Sequence, residues 1–252
     1  MSFDVAAESY RQFMGRYSEP LATEFLAFAG ATGARRALDV GCGPGALTAL
    51  LVERLGASAV AAVDPSESFV AAARDRLPGV DIQHGSAEAL SYDAGEFDLA
   101  LAQLVVHFMA DPVAGLREMA RVTRAGGAVA ACVWDYAGGG APLATFWRAV
   151  NELDPGAPDE SGLAGAREGH LAQLFEQAGL RQVEATLLTV RVPMAGFDDW
   201  WAPFTLGVGP AGTYVARADA SRVEQVRRRC AELLPDGPFE MTASAWGVRG
   251  TP

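Results

Sequence analysis

The chain has 252 residues, half of them hydrophobic, enough to bury the full core of one α/β domain. Its 20 basic residues are all Arg and face 31 acidic ones, giving a formal charge of −11; that balance argues against a general nucleic-acid or anionic-membrane surface, both of which favour clustered positive charge. Three scattered cysteines, Cys42, Cys132 and Cys230, form no CxxC, which fits a reducing compartment and excludes a Cys-rich zinc site. Asp4 and Glu8 stand where a signal peptide needs an apolar core, and no apolar run is long enough to span a bilayer, so a cytoplasmic protein is expected.

Short apolar runs alternate with helical patterns along the chain, the signature of βαβ units and a parallel sheet. "RRALDV", Arg35 to Val40, is the first strand; Leu47, Leu50, Leu51 and Leu55 then recur at helical spacing. "SAVAAVD", Ser58 to Asp64, is a second strand, followed by a helix over Glu67 to Arg76. "VDIQ", Val80 to Gln83, and "FDLALA", Phe97 to Ala102, are the third and fourth strands. A helix with Val113, Leu116, Met119 and Ala120 inward leads through a turn at Arg124 to Gly127 into a fifth strand ending at Trp134. Beyond it come a helix from Leu143 to Leu153, a Pro/Gly/Asp-rich segment, and a helix through Leu171, Leu174, Phe175 and Ala178 with Gly179 as its C-cap. "VEATLLTVRV", an aromatic stretch "FDDWWAPF", a helix marked by Val223, Val226, Cys230 and Leu233, and the alternating strand "FEMTASAWGV" complete the pattern.

The chemistry concentrates in "LDVGCGPGAL", Leu38 to Leu47, where Gly41, Gly43 and Gly45 join the first strand to its helix. In a doubly wound sheet a ligand sits at this strand-to-helix turn. A P-loop is excluded, because no Gly-Lys-Ser/Thr follows and the chain has no Lys. Gly41, Gly43 and Ala46 satisfy the looser dinucleotide pattern G-x-G-x-x-A, so a nicotinamide-dependent oxidoreductase stays open on the glycines alone.

The same ten residues resemble motif I of the class I S-adenosylmethionine-dependent methyltransferases, in a bacterial small-molecule branch of the type 11 and type 25 kind. "VAAVDPS" is similar to the family's second-strand end, "HGSAEALSY" to the loop after the third strand, "FDLALAQLVVHFMADP" to the fourth strand, and "LREMARVTRAGGAVAACVWD" to the helix and fifth strand. "YRQFMGRYSEPLA", Tyr10 to Ala22, also resembles a segment found ahead of motif I in that branch. The resemblance implies a doubly wound, Rossmann-like α/β fold with a mixed seven-stranded sheet whose last strand is antiparallel, plus an N-terminal helix and a helical insertion forming a lid. Residues 1–252 are then one domain, with a helical cap over 1–34, a donor-binding core over 35–135, and acceptor-side insertions within 136–252. The implied reaction is in-line methyl transfer from S-adenosyl-L-methionine to a small molecule, leaving S-adenosyl-L-homocysteine, with no metal. No nucleic-acid or membrane partner is expected, and the chain is expected as a monomer or homodimer.

By the same resemblance Asp39, Gly41, Cys42, Gly43 and Gly45 lie against the methionine and ribose of the donor, where a Cβ would collide. Asp64, with Pro65 and Ser66, takes the ribose hydroxyls; Ser86, Ala87 and Glu88 frame the adenine, with Ser86 where the family often has an acid; Gln103 and Leu104 line the methionine. Arg16 is a fork for the donor's carboxylate or the flank of an apolar helix face. His107 is a general base or a buried pocket-lining histidine. Trp200, Trp201 and Phe204 are an acceptor wall or packing, and Arg227, Arg228 and Arg229 a solvated helix face. Acceptor recognition is expected from the N-terminal helix, the loop from Tyr136 to Gly165 and the insertion from Gly196 to Pro235. Besides the oxidoreductase, a protein that binds S-adenosylmethionine without turnover is an open alternative.

Overall fold

The structure is a computed structural model and describes residues 7–30, 33–157 and 159–252. Expectations resting on Asp4, on the first six residues of the cap, on residues 31 and 32 and on Pro158 lie outside these residues, as does the side chain of Glu8. Helix α1 (Ala7–Tyr10) runs through a π-helical turn, Arg11–Gly15, into α2 (Arg16–Ala29). The alternating units follow: β1 (Ala37–Val40), α3 (Ala46–Leu55), β2 (Val60–Asp64), α4 (Glu67–Arg76), β3 (Asp81–His84), β4 (Phe97–Gln103), α5 (Pro112–Val122) and β5 (Thr123–Trp134). Then come α6 (Ala144–Leu153), α7 (His170–Gln177), β6 (Arg181–Met194), α8 (Phe197–Trp201), α9 (Gly209–Arg217), α10 (Ala220–Leu233) and β7 (Phe239–Thr251).

The seven strands form one sheet in the order β3-β2-β1-β4-β5-β7-β6, with β7 antiparallel to both neighbours and the first five strands parallel. Because strand side chains alternate between faces, each strand feeds two cores. Leu99 and Leu101 of β4 join Leu21 and Phe25 of α2 and Leu51 of α3 on one face. Ala100 and Ala102 join Leu116 and Met119 of α5 and Phe175 of α7 on the other. Among the described residues no helix is long and apolar enough to cross a membrane.

Two local expectations change. The turn at Arg124 to Gly127 lies within β5 as an outlooping of the strand: register jumps from Phe97↔Thr123 to Leu99↔Ala128, and Gly126 takes φ +76. Gly127 belongs there because a Cβ would stand 2.6 Å from the Asp98 carbonyl oxygen. Gly179 is not the C-cap of α7 but the left-handed residue after it (φ +89); its N–H donates to the Glu176 carbonyl and that of Leu180 to the Phe175 carbonyl. That pair of bonds is the Schellman closure of a helix.

Candidate active site

Strand order reverses between β1 and β4, and the crevice at the carboxyl ends of β1, β2 and β4 is where an open α/β sheet binds its ligand. A cavity of about 460 Å³ opens there, lined by Gly41, Gly43, Asp64, Pro65, Ser66, Phe69, His84, Gln103 and Leu104 among others. A narrow extension of about 40 Å³ runs beneath the N-terminal helices past Arg11, Asp39, Cys42 and Pro44. A second chamber, also about 40 Å³, opens beyond Tyr10, Leu104 and Phe108, which it shares with the main cleft.

The glycine loop is held from below. The N–H groups of Gly41 and Cys42 both donate to the Val63 carbonyl, at 2.7 and 3.1 Å, and Gly43 N–H donates to Asp64 Oδ2 at 2.8 Å. Asp64 Oδ1 accepts from Ser66 N–H at 2.8 Å, and the Ser66 hydroxyl caps α4 by accepting from Phe69 N–H. Each carboxylate oxygen carries two lone pairs, so one backbone bond apiece leaves Asp64 able to accept from a ligand in the cleft. Burial raises its pKa, against the lowering effect of the Ser66 and Gly43 amides. Gly41 takes φ +72, and a Cβ on it would fall 2.6 Å from Val105 Cγ1. Gly43, at φ +53, faces open space, so its bare backbone floors the cleft.

Asp39 is 1% exposed and accepts a 2.6 Å hydrogen bond from the Thr48 hydroxyl; burial pushes its pKa up to about 7. Leu104, at the exit of β4, adopts the left-handed φ of +61, uncommon for a branched apolar residue, with its N–H on the Cys132 carbonyl at 2.9 Å. His107 is buried in the second chamber; desolvation lowers its pKa to about 3, so its imidazole is neutral. Its Nδ1, the indole nitrogen of Trp134 and the side-chain oxygen of Gln103 are buried without a hydrogen-bond partner among the described residues.

The methyltransferase-domain family matches residues 38–131, the stretch that builds this crevice. Over 127 residues the chain is 33% identical to trans-aconitate 2-methyltransferase of Methylobacterium nodulans, covering 50% of this chain and 48% of that protein. Over 135 residues it is 36% identical to an uncharacterized methyltransferase of Mycobacterium tuberculosis, covering 54% of this chain and 52% of that one. The family match thus falls on residues 38–131, as a methyltransferase domain. It spans about half the length of these relatives. In fold the chain resembles a SAM-dependent methyltransferase of Thermotoga maritima, with TM-score 0.56 and 18% identity over 97% of this chain and 98% of that one.

Within the matched stretch, Asp39, Gly41, Cys42, Gly43, Asp64, Pro65, Ser66, Gln103 and Leu104 line the cleft or its extension, and His107 lines the second chamber. Three expectations are redirected. Gly45 (φ +85) begins α3 facing α4, where a Cβ would stand 3.0 Å from Leu77 Cδ1. Arg16 pairs with the Asp199 carboxylate at 2.9 Å and donates to the Asp199 carbonyl, away from the lining; Arg11 is the guanidinium that lines the extension. Ser86, Ala87 and Glu88 lie outside the lining: Ser86 Oγ donates to Glu88, whose other oxygen accepts from Ala110 N–H.

Trp200, Trp201 and Phe204 pack behind the second chamber, with Phe204 stacked on Phe146 at 4.7 Å and edge-on to Phe13 at 5.3 Å. Arg227 and Arg229 pair with Asp198 and Glu152 on the surface. Tyr10 lines the cleft, its extension and the second chamber, and packs edge-on to Phe69 at 5.3 Å. Its role was hidden among Tyr10, Phe13, Met14 and Tyr17, a helical stripe whose only sequence signal is burial.

Proposed function

We propose that the chain transfers the methyl group of S-adenosylmethionine to a small-molecule acceptor by in-line displacement. The observation that carries the reading is Asp64, locked by the Gly43 and Ser66 amides with free lone pairs toward a cleft floored by bare Gly43. A diol is what two such oxygens side by side can hold. The orphaned oxygen of Gln103 and the open space above Gly43 fit a nucleoside-sized ligand with a cationic arm. Asp64, Glu19 and Glu67 line the cleft or its extension, acidic groups that favour a positively charged donor.

When bound, S-adenosylmethionine supplies an electrophilic methyl group on a positive sulfonium. The protein's own work is positional. Asp64 fixes the ribose end, Phe69 and Val105 flank a flat base, Arg11 meets the carboxylate, and Tyr10 with Leu104 closes the passage to the second chamber and keeps water from the line of attack. Orientation and desolvation are what such a displacement requires.

Calorimetric titration with S-adenosylhomocysteine, NADH and NADPH in parallel tests the reading. The homocysteine nucleoside alone is expected to bind. Asp64→Asn should weaken it by about 1–3 kcal/mol, because the amide offers a donor where a backbone N–H already donates. Binding of a nicotinamide nucleotide instead would overturn the proposal.

A further inference from the structure

An outer pocket of about 130 Å³ opens to the surface and shares no lining residue with the cleft. Ala141, Trp147 and Glu160 form its buried floor, while Gly139, Asp159 and Ser161 form an exposed mouth. At about 30 Å³ per water molecule, the space takes a ligand of about four heavy atoms.

The floor carries an acidic group that the fold leaves without a counter-ion. Glu160 is 3% exposed and accepts from Trp147 Nε1 at 2.8 Å and from the Tyr136 hydroxyl, both neutral donors. A carboxylate has four lone pairs, so two bonds leave Glu160 able to accept more, as at Asp64. No Arg or His pairs with it among the described residues, and the chain has no Lys. Its charged neighbour is Asp159, a second carboxylate at the mouth, which accepts from Asn151 Nδ2 at 3.1 Å and from the Ser161 hydroxyl at 2.6 Å. Arg148 also lines the pocket, but its side chain is 65% exposed and its Nε donates outward to Glu152 at 3.1 Å. A carboxylate buried this far is ordinarily paired with a cation.

These features decide among ligand classes. An anion would meet two carboxylates. A metal ion would have those two alone, and among the described residues no group of three His, Cys, Asp or Glu side chains could hold one. A neutral hydroxyl would form hydrogen bonds and leave the charge uncompensated. A primary ammonium supplies N–H donors for Glu160 and Asp159 and a positive charge between them, and its short apolar stem suits Ala141, Ala144 and the Trp147 ring. We propose that this pocket binds the ammonium end of a small primary alkylamine, with Glu160 as its buried counter-ion and Asp159 at its entrance. Tyr136 and Glu160 also line the second chamber, which in turn shares Tyr10, Leu104 and Phe108 with the cleft. The amine is thus held one chamber away from the glycine loop, and its binding needs no nucleoside.

Nuclear magnetic resonance titration reads the floor directly, because the chain has five Trp and the Trp147 indole N–H is bonded to Glu160. The Trp147 indole resonance, assigned by its loss in Trp147→Phe, should move saturably when propylamine is added at neutral pH to the protein alone. Propanol, propionate and tetramethylammonium, of similar size, should each bind at least about tenfold more weakly. Glu160→Gln, which keeps an oxygen for the Trp147 indole, should weaken propylamine at least about tenfold, and Asp159→Asn, at the solvated mouth, about threefold. Unmoved resonances of the other indoles show in both variants that the fold is kept. Lack of a saturable shift, propanol or propionate matching propylamine, or a response indifferent to both substitutions overturns the counter-ion site. Tetramethylammonium matching propylamine overturns the assignment to a primary amine, because it has no N–H to donate. None of these outcomes bears on S-adenosylhomocysteine binding in the cleft, which is measured separately.

Discussion

Asp39 offers a stability test that needs no ligand. Its carboxyl is 1% exposed in the middle of β1, where burial raises its pKa from 3.8 to about 7. A raised folded-state pKa means that the native chain binds this proton more tightly than the unfolded chain does. The stability it contributes is therefore complete below about pH 4 and lost as pH rises through 7. At 1.36 kcal/mol per unit the full span is up to about 4 kcal/mol, of which about 2 kcal/mol falls between pH 5 and pH 7. Asp39→Asn keeps the shape and an oxygen for the Thr48 hydroxyl but removes the ionisation. Urea unfolding of both proteins at half-unit steps from pH 5 to 8.5 should show the variant gaining on the parent by about 2 kcal/mol up to pH 7, levelling to a constant difference above about pH 8. A constant offset from the substitution itself does not affect this slope. A difference flat across the whole range would refute the burial argument for Asp39.

Gly41→Ala should destabilise the fold by about 2–5 kcal/mol, combining the cost of a left-handed alanine with overpacking against Val105. Adding Val105→Ala should recover the overpacking part, so that denaturation of the single and double variants shows at least about 1 kcal/mol of coupling. Arg16→Ala should leave S-adenosylhomocysteine affinity unchanged and lower stability by less than about 1 kcal/mol, because the Arg16–Asp199 pair is partly solvated. Arg11→Ala should weaken that ligand by about 1 kcal/mol in the same calorimetric assay, a modest value for a solvent-facing charged hydrogen bond.

The main cleft was legible because its parts are backbone and come in sequence order. Gly41 and Gly43 must be glycine for reasons of φ and approach, and Asp64 ends a strand whose apolar run announces it. Where the sequence misdirected, a side chain had a partner far along the chain. Arg16 meets Asp199, 183 residues away, and Glu88 meets the Ala110 amide. Neither pairing has a local period or motif. The second chamber was still less visible, since Phe13, His107, Trp134, Glu160 and Val208 converge from five separate segments. Hydrophobic periodicity placed most of their elements but says nothing about which buried indole or imidazole lacks a partner.

The two halves of the site are nevertheless mechanically one. Val105 sits against Gly41 of the loop, and the preceding residue, Leu104, lines the cleft, its extension and the second chamber in a conformation that costs about 1–3 kcal/mol for a non-glycine residue. Such strain persists only where neighbours leave the chain no alternative. Here the Leu104 N–H is tied to Cys132 on β5, while Val105 fills the space that the absent Cβ of Gly41 leaves. The strand that ends under the glycine loop is thereby bent toward His107 within three residues. Any side chain at position 41 would push on Val105 and so on Leu104, and the disturbance would reach the second chamber as well as the cleft. The glycine at position 41 thus serves the second chamber as much as the cleft.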